Sequence, residues 1–232
     1  MAVYLLDDNL WFPYPYEGEA DGLIAVGGDL SADRLLLAYS HGIFPWYSFR
    51  YSDEPHWYCP LDRFVIIPNE IHVSHSMRQL IRQQKYQTTI NQDFHGVIRG
   101  CSIADGRKDE EGAWLGNDMI KAYTRLHELG YAVSVEVWEN DGENNRKLVG
   151  GLYGVAIGKS FFGESMFSLV PNASKLALIH LAQTMSAHDG ILIDCQFETP
   201  HLLSMGGKHI SYDEYLHLIS IKGTSGLSPL LS

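Results

Sequence analysis

Cysteine is scarce: Cys59, Cys101 and Cys195 are the only three in 232 residues, far apart and without a CxxC pair. An odd, scattered set is neither a disulfide framework nor a thiolate zinc site. His72 and His75 stand close together, but no cysteine or carboxylate accompanies them at metal-ligand spacing, so no metal is expected. Positive charge is also short. Lys and Arg total 17 against 28 Asp and Glu, a formal net charge of −11. No overall field draws this chain to nucleic acid, so any such contact needs a local basic patch. Long apolar runs are missing too. The opening stretch has five apolar residues before Asp7, too few for a signal core, and nothing later nears the roughly 18 of a membrane span. Walker, GxGxxG and GxSxG patterns are absent, which disfavours nucleoside triphosphates, dinucleotides and serine-hydrolase chemistry. The expectation is a reduced, cytoplasmic, monomeric protein with no membrane segment and one or two domains.

Aromatic residues are plentiful, with thirteen Tyr and five Trp, 12% aromatic overall. Many fall in the first sixty residues, among Pro13, Pro15, Pro45, Pro55 and several glycines. One helix is predicted there, over 31–40, with Ser31 as N-cap and Gly42 beyond its end. This part reads as a small, loop-rich domain, 1–62, that must dock on the rest to bury its apolar surface. From residue 63 to 232 the pattern alternates. Strands are predicted over 64–67, 86–90, 132–139, 148–157, 160–168 and 191–194, and helices over 74–84, 94–101, 118–129, 174–187 and 213–219. Turn chemistry at 140–145 and at Gly158-Lys159 joins three consecutive strands into a meander. Loops are expected at 106–112 and in the Gly/Ser-rich end. The pattern gives an α+β fold, a mixed sheet covered by helices.

Three groups of residues could carry chemistry. Glu164 is the one charge in the apolar segment Phe161-Phe-Gly-Glu-Ser-Met-Phe167. Simple alternation puts it on one face with Phe162 and Met166, where a carboxylate is costly unless paired or functional. Gly163 beside it leaves room for a substrate backbone. Asp194 and Gln196 end a buried-looking strand on one shared face, with Cys195 turned the other way as a small core residue. Arg78, Arg82 and Lys85 fall at i, i+4 and i+7 with no acid between them. From 71 to 108 there are six Lys or Arg against two Asp or Glu, a local excess that suits phosphate.

Several blocks in order make the chain similar to the bacterial leucyl/phenylalanyl-tRNA–protein transferases. They are GLIAVGGDLS (22–31), AYSHGIFPW (38–46), SVEVW (134–138), LVGGLYGVAIG (148–158), FFGESMFS (161–168), ASK (173–175) and IDCQ (193–196). The resemblance implies an N-terminal aromatic-rich domain and a C-terminal domain with an N-acetyltransferase-like (GNAT-like) fold. It implies transfer of Leu or Phe, less well Met, from charged tRNA to proteins with N-terminal Arg or Lys, marking them for degradation. Carried over by position, Asp194 and Gln196 match the proposed catalytic pair, and Glu164 and Met166 the aminoacyl pocket. Trp114 and Tyr123 match aromatics flanking the terminal adenosine, Trp46 lies in the same site, and Arg78, Arg82 and Lys85 resemble the acceptor-stem helix. Tyr58, Cys59, Val133, Thr199 and Tyr212 depart from the family's usual residues, outside the GESMF and IDCQ blocks.

That chemistry needs no cofactor, because an aminoacyl ester is already activated. The enzyme must place an unprotonated amine and stabilise an oxyanion. Gln196 would contact the amine, and Asp194 would orient Gln196 or attract the incoming cation. Unbranched Met166 beside Phe162 suits a pocket for Leu, Phe and Met. Two other readings stay open: an acyl-CoA-dependent N-acetyltransferase on the same fold, and a non-catalytic adaptor that binds RNA or a degron.

Overall fold

The computed structural model describes residues 2–46, 54–104, 116–140 and 146–220. Near the front of the chain, proline- and glycine-rich turns separate short strands: β1 (Tyr4–Leu6), β2 (Leu23–Gly27), β3 (Phe44–Trp46) and β4 (His56–Tyr58). They form a four-stranded sheet of order β1-β2-β4-β3, parallel between β1 and β2 and antiparallel elsewhere. Helix α1 (Ala32–Ser40) crosses between β2 and β3, and the Ser31 side chain accepts the Arg34 N–H as its N-cap. The sequence predicts α1 but not these strands, since three to five residues carry too little alternation to register.

The larger sheet has seven strands in the order β11-β5-β10-β9-β8-β7-β6. In chain order its parts are β5 (Asp62–Ile66), α2 (His75–Arg82), β6 (Tyr86–Ile90), α3 (Phe94–Ala104), α4 (Asn117–Glu128), β7 (Ala132–Asn140), β8 (Arg146–Ile157), β9 (Ser160–Ser168), α5 (Ala173–Ala187), β10 (Leu192–Gln196), α6 (Pro200–Ser204), β11 (Lys208–Ser211) and α7 (Tyr212–Ser220). Only β9 and β10 run parallel; every other neighbouring pair is antiparallel. The predicted meander is β7-β8-β9, and the predicted helices appear as α2 to α5 and α7 with ends moved by a few residues. Two elements, α6 and β11, are additional. The predicted loop at 106–112, the turn at 141–145 and the Gly/Ser-rich end lie outside the described residues.

Each face of the sheet has its own cover. On one side α3 and α4 bring Phe94, Val97, Ile98, Met119, Tyr123 and Leu126 against Tyr153, Val155, Phe162 and Phe167. Leu35 and Tyr39 of α1, with Phe44 and Trp57, belong to this same cluster, so the small sheet docks by sharing a core. On the other side α5 packs Leu176, Leu178, Ile179, Leu181 and Met185 against Val133, Val135, Val137 and Phe161. Burying each such side chain contributes about 1.5–3 kcal/mol, which explains why α5 carries scarcely any charge. Its N-cap is Asn172, held at φ +71°, but that side chain does not cap; Ser168 Oγ accepts the Ser174 N–H instead.

Candidate active site

The parallel strands β9 and β10 pair at Ser160–Leu192, Phe161–Ile193 and Phe162–Asp194, and pairing stops there. Each strand then bulges. On β9 the residue left over is Glu164, between Gly163–Gly154 and Ser165–Tyr153. On β10 it is Cys195, between Asp194–Val65 and Gln196–Phe64, and Gln196 adopts φ +64°. A bulge inserts one residue and re-aims the side chains around it. The expected shared face of Phe162, Glu164 and Met166 is therefore corrected. Phe162 packs with Tyr39 and Tyr153 on the α3–α4 side, and Met166 packs on the α5 side. Gly163 lines a cavity and also has a structural use. A Cβ there would lie 3.2 Å from the Asp194 carbonyl oxygen, so the missing side chain serves the approach of β10.

Glu164 is held from three other elements. Tyr39 on α1 donates to Oε1 at 2.7 Å, Tyr123 on α4 donates to Oε2 at 2.7 Å, and Gln196 Nε2 donates to Oε1 at 3.1 Å. The two tyrosine oxygens are themselves 2.5 Å apart. Carboxyl, Tyr39 and Tyr123 thus make three mutual contacts, and each contact needs a proton. The hydroxyls supply only two, so with both donating to Glu164 the Tyr39–Tyr123 contact lacks one; a neutral carboxyl closes the ring when Oε2 donates to Tyr123 and the Tyr123 hydroxyl turns to Tyr39. Burial pushes the Glu164 carboxyl up to about 7, against the lowering effect of the Tyr39 and Tyr123 hydrogen bonds.

Asp194 is buried with 0% exposure and accepts at both oxygens. Arg63 Nε donates to Oδ1 at 2.9 Å and Arg63 NH2 to Oδ2 at 2.5 Å; Tyr215 OH donates to Oδ2 at 2.7 Å. The fourth donor is the backbone N–H of Gln196, at 2.9 Å from Oδ1. The expectation that Asp194 attracts an incoming cation is corrected, since a buried carboxylate already paired with Arg63 presents no charge to a ligand. Its link to Gln196 runs through the main chain, because the bulge puts backbone rather than side chain within reach. Arg63, Tyr39 and Tyr215 escaped sequence reasoning. The signal for Arg63 was one charge opening the run Arg63-Phe-Val-Ile-Ile67; for the tyrosines there was none.

Two cavities meet here. One of about 260 Å³ is lined on the α5 side by Met166, Leu178, Leu181, Ile193 and Leu202. The other, of about 160 Å³, is lined by Phe44, Pro45, Trp46 and Phe197. Glu164 and Gln196 line both. Trp46 is 43% exposed, its ring 5.0 Å from Phe197 and 5.5 Å from Tyr58. Phe162 lines neither cavity. Cys195, expected in the core, is half-buried and lines the first cavity, and burial pushes its thiol well above the usual range. Tyr58, Cys59, Val133, Thr199 and Tyr212 line neither of these two cavities; Thr199 caps α6 by accepting the Leu202 N–H.

The expected role of Tyr123 is corrected as well. It is 0% exposed, its ring lies edge-on to Tyr153, and its hydroxyl is committed to Glu164, so it offers no face to a nucleobase. Trp114 lies outside the described residues. The expected stripe of three cations reduces to two. Helix α2 ends at Arg82, Gln84 takes φ +52°, and Lys85 is carried off to pair with Glu139 at 3.1 Å. Arg78 and Arg82 line an open surface cleft of about 550 Å³ with Glu70, His72 and Gln183. No helix among the described residues is long and apolar enough to cross a membrane.

The chain is similar to known proteins over most of its length. The family model described as leucyl/phenylalanyl-tRNA protein transferase matches residues 65–220, and the model for the N-terminal domain of that family matches 28–61. A transferase of that name from Thermodesulfovibrio yellowstonii is 46% identical over 219 residues, 94% of this chain and 86% of its own. One from Syntrophus aciditrophicus is 50% identical over 220 residues, 94% and 88% respectively. One from Flavobacterium psychrophilum is 45% identical over 217 residues, 94% and 99%. Matches of this extent run through both sheets and both bulged strands, and they make the chain a member of the leucyl/phenylalanyl-tRNA–protein transferase family, an enzyme of the aminoacyltransferase class.

Proposed function

We propose that this enzyme moves Leu or Phe, and less readily Met, from aminoacyl-tRNA to the α-amine of proteins with N-terminal Arg or Lys, marking them for degradation. The observation that carries the reading is the junction of two unlike cavities at Glu164 and Gln196. An unbranched or aromatic side chain suits the larger, leucine-lined cavity, where Met166 adapts to either shape. The terminal adenosine suits the aromatic cavity, where Trp46 offers an exposed ring for stacking. The ester carbonyl then falls at the junction, beside Gln196 Nε2, a donor that could meet the developing oxyanion or the attacking amine. Asp194 acts on this centre by fixing Gln196. Arg78 and Arg82, on their open cleft, are the phosphate contacts of the tRNA body.

Two structural readings accompany this function. The division into 1–62 and 63–232 is supported by the small sheet lying within residues 4–58 and the larger one starting at Asp62. An N-acetyltransferase-like arrangement of the larger part is supported by its mixed sheet, covered on both faces and opened at a single parallel pair.

The test is transfer of radiolabelled Leu or Phe from charged tRNA to an Arg-N-terminal peptide, with and without acetyl-CoA. Label in the peptide without acetyl-CoA supports the reading. Binding of charged tRNA with no labelled peptide would leave only an adaptor.

A further inference from the structure

Arg63 is 1% exposed and meets neither cavity, yet it touches Asp194 and Phe44, which do. Its Nε and NH2 hold both oxygens of Asp194. Its guanidinium lies 4.8 Å from the centre of the Phe44 ring and 4.7 Å from that of Tyr215. Phe44 is a wall of the aromatic cavity, and Tyr215 donates to the same Asp194 oxygen that Arg63 NH2 reaches. The seat of the Tyr215 ring is shaped by Gly42, at φ +70°, where a Cβ would come within 2.3 Å of it. Arg63 and Tyr215 thus converge on one carboxylate, backed by Phe44 and Gly42.

The free end of this chain of contacts is Gln196. A glutamine at φ +64° is in a conformation that costs energy for a residue with a side chain. Asp194 Oδ1 accepts its N–H in that conformation, and only then does Gln196 Nε2 stand 3.1 Å from Glu164 Oε1 between the cavities. Resting on the function proposed above, we infer that Arg63 and Tyr215 are positioning residues for aminoacyl transfer: they fix Asp194, and through its bond to the Gln196 amide they set the direction of the Gln196 side chain. Neither contacts the reacting atoms. A merely structural pair would staple β5 and α7 to β10, and its loss would lower stability without changing turnover per folded molecule.

The experiment measures kcat and KM for charged tRNA at saturating acceptor peptide, with thermal melts, for wild type, Tyr215→Phe, Gln196→Ala and the double variant Arg63→Met/Asp194→Leu. Replacing a buried ion pair by apolar residues of similar volume is often tolerated, so the double variant has a good prospect of folding. Tyr215→Phe should melt cooperatively and lose about tenfold in kcat while donor KM stays within about twofold. The double variant should lose about a hundredfold in kcat, the scale of a misplaced reacting group. Wild-type kcat per folded molecule in Tyr215→Phe and in the double variant, with Gln196→Ala impaired, overturns the positioning role alone. Wild-type kcat in Gln196→Ala overturns the reading of the site and this inference with it. If the double variant does not fold, Tyr215→Phe decides.

Discussion

Gln196 Nε2 donates to Glu164 Oε1 at 3.1 Å, across the place where β9 and β10 cease to pair. A mid-strand residue of β9 and the last residue of the neighbouring parallel β10 therefore meet at the level where both strands have bulged. Their contact divides an apolar cavity from an aromatic one.

Glu164 should make stability depend on pH. Its carboxyl is raised in the folded protein to about 7 from the ordinary 4.5, so the folded state holds the proton more tightly. The stabilisation is fully present below the ordinary value and is lost as pH rises through about 7. Between these limits the unfolding free energy should fall with pH by at most about 1.4 kcal/mol per unit from this group. Glu164→Gln keeps both donors and acceptors for the Tyr39–Tyr123 ring. Urea unfolding across pH 4 to 8 should show that component of the slope flattened, and a slope equal to wild type would refute the neutral-carboxyl account.

Asp194→Asn should damage folding before it damages chemistry. It leaves the Arg63 guanidinium buried without its counter-charge, a loss of about 3–5 kcal/mol. Chemical denaturation should show this as a lower midpoint, and a midpoint near wild type would mean that water relieves the pair.

Filling the leucine-lined cavity should change selectivity. Leu181→Phe narrows a space of about 260 Å³ and should disfavour Phe-tRNA over Leu-tRNA by about 10-fold or more in kcat/KM. Equal effects on both donors would place the side chain elsewhere.

Arg78→Ala with Arg82→Ala should raise KM for charged tRNA and reduce the log–log salt slope by roughly one per lost contact, leaving an aminoacyl-adenosine donor nearly untouched. Lys85→Ala should leave the slope unchanged, since that ammonium already faces Glu139. Fluorescence titrations at several salt concentrations separate the two.

Trp46→Ala should weaken the minimal aminoacyl-adenosine donor by about 1–3 kcal/mol, the range for one stacked base. A direct binding titration reads this, and unchanged affinity would show that the exposed ring holds no base.

The long elements were legible because their chemistry is local. β6 and β9 carry their own alternation, α1 its own Ser31 cap, and α5 enough apolar residues to demand a buried face. The order of polar and apolar residues also marked Glu164, Asp194 and Gln196. Their geometry was not legible, because it depends on two bulges whose register is set by partners elsewhere: Tyr153 and Gly154 for one, Phe64 and Val65 for the other. Alternation counted through a bulge gives the wrong face for Met166. It likewise could not show that Tyr123 is sealed beneath Glu164, or that a turn at Gln84 takes Lys85 off the α2 stripe.

The paired bulges also bear on how this chain can change over time. Substitutions around Glu164 and Cys195 alter one contact at a time, whereas deleting a single residue from either strand restores plain alternation. On β9 that deletion would leave Phe161 and Met166 on the α5 side and Phe162 and Phe167 on the other, but would remove the extra place from which Glu164 reaches Tyr39, Tyr123 and Gln196 together. The length of the stretch from Phe162 to Met166 is therefore as much a part of the site as Glu164 itself, and descendants of this sequence should keep both.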